Sequence, residues 1–232
     1  MRHARALGRL AALVVALPML GGASICGEVL YDIAQRDLIN EPVRQVNFTS
    51  DSGSVELFAF KRNGISLFFY LLGANSDIDD VGHRVEGDEL EVFVLCATSG
   101  YCNANFYAEV PLGTIADIVT SNGGVKLVQV DAPVTADVVG GGVDGIQLRA
   151  PELDLTVEAG DVTLEWSAPP TRVDIVVGEG IVELTLPAGA YRCDLTADGT
   201  IDTTGITCDP TATALIAVKV TTGDITLKAP TP

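Results

Sequence analysis

From Val46 onward, apolar and polar positions alternate along the chain. Ser54, Glu56, Phe58 and Phe60 interleave with Val55, Leu57 and Ala59, and Glu89-Leu90-Glu91-Val92-Phe93-Val94-Leu95 repeats the pattern. A period of two enriched in β-branched residues predicts strands with one buried face. After residue 46 no stretch sustains the three-to-four period of an amphipathic helix. Residues 28–45 lack the alternation and contain Pro42, so they are expected to be a short leader ahead of the folded domain.

Glycines punctuate the alternation at nearly constant intervals. Gly124, Gly142, Gly160, Gly180, Gly199 and Gly223 are 18, 18, 20, 19 and 24 residues apart. Each is expected at a turn between an incoming and an outgoing strand, where glycine takes a positive φ without steric cost. Ser52-Gly53-Ser54-Val55 repeats the unit nearer the start. Two strands per repeat of about 20 residues point to a β-solenoid or solenoid-like roll, in which each unit offers the next the same edge. A β-sandwich is the alternative. In the solenoid register Val162, Val182 and Ile225 form one inward column and Glu183 faces solvent. The expected organisation is a signal segment over 1–25, a leader or linker over 26–45, one β-repeat domain over 46–229 and a tail over 230–232.

Aromatic residues are concentrated near the start of that domain. Phe58, Phe60, Phe68, Phe69, Tyr70, Phe93, Tyr101, Phe106 and Tyr107 precede Pro111, and only Trp166 and Tyr191 follow it. Residues 46–110 are therefore expected to form a cap with a wider core, closing the stack as a terminal repeat must. An aromatic binding groove is the other reading.

The first residues modify the picture of the whole chain. Arg2, Arg5 and Arg9 precede the apolar run Leu10–Leu20 and the small residues Gly21-Gly22-Ala23-Ser24. These are the parts of a secretory signal, and the run is shorter than the roughly 20 residues a membrane span needs. The protein is expected to be exported to the periplasm, the outer-membrane surface or the extracellular space. No later segment reads as a transmembrane helix. Loss of residues 1–25 removes three arginines and no acid, taking the net charge from −17 to −20. So acidic a domain has no face for nucleic-acid phosphates, and its apolar content of 47% argues against disorder.

In an oxidising compartment the cysteines should pair. Cys96 with Cys102, around a turn-like insert that would close a hairpin, and Cys193 with Cys208 are the expected bridges, although other pairings of the four are open on sequence alone. Cys26 remains, either as a lipid-anchored N-terminal residue or as a free thiol after cleavage near Ala23.

Gly160-Asp161-Val162-Thr163-Leu164, the run from Val173 to Tyr191, and Thr221-Thr222-Gly223-Asp224-Ile225-Thr226-Leu227 resemble the adhesin-like repeat domain of bacterial envelope proteins. That resemblance, strongest after Glu109, implies a β-solenoid in which Gly-Asp-Val-Thr turns recur. It also implies a Leu-Pro-x-Gly-x-Tyr segment, here Leu186–Tyr191, leading into a final coil, with Glu109–Gly113 as an earlier copy. A surface or envelope role follows, with an unidentified partner and no family site residues to carry over.

Few residues suggest chemistry. His83 is the only histidine beyond the signal, in what reads as a polar loop, Asp79–Arg84, so nucleophilic triads and zinc are disfavoured. Asp194, Asp198 and Asp202 imitate the start of a calcium loop. Gly205 stands where that loop needs a bidentate glutamate, and the expectation is no cofactor, with calcium there or at Asp77, Asp79 and Asp80 as the exception. The function expected is a non-catalytic, adhesin-like envelope domain; the rival is a β-helix hydrolase or lyase acting on polysaccharide.

Overall fold

The structure, a computed structural model, describes residues 30–74, 78–97 and 102–230. It is all-β, with two ten-stranded mixed sheets facing each other across one continuous apolar core. Most of the chain is a series of units, each giving one strand to each sheet. The units pair β2 (Gln45–Ser50) with β3 (Val55–Phe60), β6 (Glu89–Cys96) with β7 (Cys102–Pro111), and β8 (Ile115–Asn122) with β9 (Val125–Val128). They continue as β10 (Val134–Gly140) with β11 (Val143–Leu148), β12 (Glu152–Ala159) with β13 (Val162–Trp166), and β14 (Arg172–Glu179) with β15 (Val182–Thr185). The last two are β16 (Ala190–Ala197) with β17 (Ile201–Asp202), and β19 (Leu215–Thr222) with β20 (Ile225–Lys228); β18 (Thr207–Cys208) lies between them in the chain.

Neighbouring units pair in parallel and in register. Val162 lies opposite Val182, and Val182 opposite Ile225. All three are fully buried while Glu183 faces outward, the column expected from the alternation. The turn glycines stack beside it. Gly53, Gly123, Gly141, Gly160, Gly180 and Gly223 all have positive φ, and a Cβ built on Gly180 would lie 2.1 Å from the carbonyl oxygen of Gly160. Backbone therefore occupies the space a side chain would need, a stronger requirement for glycine than turn geometry alone. The equivalent residues are Gly123 and Gly141, not Gly124 and Gly142 as the spacing suggested. The second glycine of each pair takes the place of Asp161.

The order of units in space departs from their order in the chain at both ends. The β2–β3 unit lies between β8–β9 and β6–β7, and β19–β20 lies between β14–β15 and β16–β17. Gly199 thus neighbours Gly223, not Gly180. The final unit thereby has hydrogen-bonding neighbours on both sides in each sheet.

Three antiparallel strands complete the early end, and they correct the expected domain start. Leu30–Ile39 is an edge strand, β1, paired along its length with β4 (Ile65–Ala74), which pairs with β7. β5 (Ile78–Glu86) borders β6 in the other sheet. The segment expected as a leader is thus part of a sheet from Leu30. Its alternation is hard to see because an edge strand buries little on either face.

Candidate functional site

Both expected disulfides are present. Cys96–Cys102 and Cys193–Cys208 have Cα separations of 5.8 and 5.4 Å. The first closes no hairpin. β6 and β7 belong to different sheets, so this bridge ties the two sheets together where the chain passes between them. The second fastens β18 against β16 at the opposite end. Cys26 and the signal segment lie outside the described residues.

His83 lies on β5, not in a loop. Its Nδ1 is 3.5 Å from Asp37 Oδ2 on β1. His83 stands opposite buried Val92, and Asp37 opposite buried Leu67, so both occupy inward positions of edge strands. The pair links the two sheets where the core would otherwise continue. Inward polar residues of this kind keep an edge from recruiting another chain. Of the aspartates considered for calcium, Asp194 lies on β16, while Asp198 and Asp202 serve turns. Asp198 Oδ1 accepts the Gly223 N–H at 2.9 Å, and Asp202 Oδ1 accepts the Thr204 N–H at 2.9 Å and its hydroxyl at 2.5 Å. Those bonds hold the Asp202 carboxyl below its usual range, as the Thr211 hydroxyl and N–H hold Asp209. Asp79 and Asp80 are on β5, and Asp77 lies outside the described residues. Among the described residues no three His, Cys, Asp or Glu side chains converge as a metal site.

The aromatic-rich end divides into two layers. Phe48, Phe69 and Phe106 meet in the core, with ring centroids 6.1 Å apart in both the Phe48–Phe106 and Phe69–Phe106 pairs. Phe58, Phe60, Phe68 and Tyr107 instead take the outer face of their sheet. The Phe58 and Tyr107 centroids are 4.5 Å apart, and Phe60 and Phe68 are 37% and 39% exposed. The expected wider core accounts for only part of the aromatic enrichment. The missed signal was local: in Leu57-Phe58-Ala59-Phe60 and Leu67-Phe68-Phe69 both alternating sets are apolar, although the inner set alone would fill the core.

Two concavities flank this end, one on each outer face. On the β5–β6 side, Asn47, Thr49, Asp80, Arg84, Glu91 and Phe93 line a groove of about 320 Å³. Arg84 is held there by Glu86 and Glu91 and lies over the Phe93 ring at 6.0 Å. The hydrogen bond and charge of Glu91 raise its pKa above the usual arginine value. On the β4–β7 side, Arg36, Ser66, Phe68, Tyr107 and Glu109 line a groove of about 310 Å³. Arg36 Nε donates to the buried hydroxyl of Ser66 at 3.1 Å, and Arg62 pairs with Glu109. Burial lifts the Tyr107 phenol above its ordinary pKa, and the charge and hydrogen bond of Glu109 add to the effect.

The architecture is that of an all-β protein with two stacked sheets and an aromatic outer face at one end. Among solved structures, a putative cell adhesion protein from Clostridium sporogenes is similar over 86% of this chain and 100% of its own, at 12% identity and a TM-score of 0.50. A putative adhesin from Bacteroides fragilis matches 87% of this chain and 98% of its own, at 13% identity and a TM-score of 0.46. At such identities the first likeness concerns the fold, and the second adds no argument. No family model and no curated protein matches the sequence. Among the described residues no helix is long and apolar enough to cross a membrane.

Proposed function

We propose that this chain is an exported, non-catalytic, adhesin-like domain of the bacterial cell envelope, built as a two-sheet β-solenoid and acting by surface contact. The observation that carries the reading is the outward aromatic face of Phe58, Phe60, Phe68 and Tyr107. Exposed clustered apolar surface in a monomeric fold marks contact sites, and these rings leave the core no less complete, since Leu57, Ala59, Leu67 and Phe69 fill it. The in-register stacking of units supports the solenoid. The two disulfides suit an oxidising compartment, and the similar Clostridium sporogenes structure bears the name of a putative cell adhesion protein.

The test is adherence. Beads coated with the domain should bind envelope material from bacterial cells, and an F60S/F68S variant with an unchanged thermal melt should lose that binding. Retained adherence by the folded double variant would refute the aromatic face as the contact surface. Export is read separately, by N-terminal sequencing of cell-derived protein, which should begin beyond residue 22.

A further inference from the structure

The two outer grooves differ in how their arginines are committed. Arg84 is saturated by two carboxylates and a ring face. Among the described residues Arg36 makes no ion pair, and its one hydrogen bond runs from Nε to Ser66. Ser66 is 2% exposed and belongs to β4, so the guanidinium is tethered at one nitrogen by a rigid, buried group. Register places Arg36 opposite Phe68, and Phe68 opposite Tyr107, all on one outward rank of β1, β4 and β7. A cation thus shares an outward rank with two aromatic residues, in a chain whose described part is strongly acidic. Glu109 closes the groove, where it pairs with Arg62.

These groups match an amphipathic anion. A guanidinium with free N–H groups recognises a carboxylate through paired, charge-assisted hydrogen bonds. Ring faces accept the apolar face of a pyranose, and Glu109 accepts hydroxyl donors. At about 310 Å³ the groove is of a size that holds a small ligand group. A lipid surface fits less well, because Glu56 and Glu109 stand within the aromatic patch and would be desolvated against it. We infer that the groove formed by Arg36, Ser66, Phe68, Tyr107 and Glu109 binds an acidic sugar residue, with Arg36 on its carboxylate and Phe68 and Tyr107 against its ring. This inference rests on the contact-surface reading above and names the ligand class of that surface.

The probes are trigalacturonate, sialyllactose and, as neutral match, maltotriose, titrated into the intact domain and followed by nitrogen–proton NMR and calorimetry. At least one acidic probe should bind saturably, with shifts centred on β1, β4 and β7, and maltotriose should bind about tenfold more weakly or worse. R36Q should lower affinity for the acidic probe about tenfold and bring it to the neutral level. R36K should fall between, and S66A, which frees the guanidinium, should also weaken binding. N47A, in the other groove, should change nothing. Which acidic probe binds separates uronic from sialic acids. Equal affinity for acidic and neutral probes, binding unchanged in R36Q, or no saturable binding of any probe would overturn the inference. If bead adherence persists and remains sensitive to F60S/F68S while both acidic probes fail, the ligand class falls and the contact-surface reading stands.

Discussion

Replacing Val182 by Asp puts the inward column to a direct test. Val182 is fully buried between Val162 and Ile225 on the neighbouring strands. Losing the burial of a valine side chain costs about 1.5–3 kcal/mol. A carboxyl group without a partner there costs about 1–3 kcal/mol more even when protonated. The sum, about 2.5–6 kcal/mol, is a large part of the roughly 5–15 kcal/mol that holds a typical domain folded. Glu183→Lys, one residue on, breaks the partly exposed pair with Lys228 and should cost only about 0–1 kcal/mol. Urea melts of the two variants give the comparison. A further signature comes from pH. Burial raises the folded-state pKa of the introduced carboxyl above its unfolded value of about 3.9. The folded state then binds the proton more tightly, so the deficit of V182D relative to V182N grows as pH rises and disappears below about pH 4. Equal losses at 182 and 183, or a V182D–V182N gap independent of pH, would refute the register.

Three further outcomes are expected. Gly180→Ala, with φ +152° and Gly160 carbonyl oxygen 2.1 Å from the new Cβ, should cost about 2–4 kcal/mol; Gly87→Ala, at φ +71° in open space, should cost only about 1–2 kcal/mol, both read by chemical denaturation. Thr120→Val should raise stability by about 1 kcal/mol, because the buried Thr120 hydroxyl has no hydrogen-bond partner; a loss would mean the hydroxyl is satisfied. Thr204→Ala should return the depressed Asp202 pKa toward the ordinary aspartate value in an NMR titration. In the parent protein, the turn support from Asp202 is present above its unfolded pKa and is lost as pH falls through the lower folded value.

Much of the fold is legible in short windows. Alternation is a local property of a strand, because successive side chains point to opposite faces. It identified the strands after Val46 and the inward positions of Val162, Val182 and Ile225. Regular glycines revealed the unit length, and the cysteine count pointed to two bridges, whose partners were settled only by the placement of the strands. The candidate site was visible only as an excess of aromatics. Both sets of alternating residues are apolar at Phe58–Phe60 and Phe68–Phe69, and alternation cannot say which set a second sheet will cover.

Neighbour choice lies beyond such windows. Every unit presents nearly the same edge to its neighbours, so the sequence by itself does not say that β2–β3 and β19–β20 are intercalated ahead of their chain neighbours. Which glycine of Gly123-Gly124 carries the turn depends on a carbonyl approaching from another unit, since a Cβ on Gly123 would lie 1.8 Å from the Gly53 oxygen. Arg36 and Ser66 are 30 residues apart, on a segment that reads as a leader and a strand that reads as core. Composition and periodicity determined the class of fold, the unit and the core face. Pairing between distant strands decided the order of the units, the start of the domain and the groove, because backbone hydrogen bonds in a sheet join residues without regard to their separation along the chain.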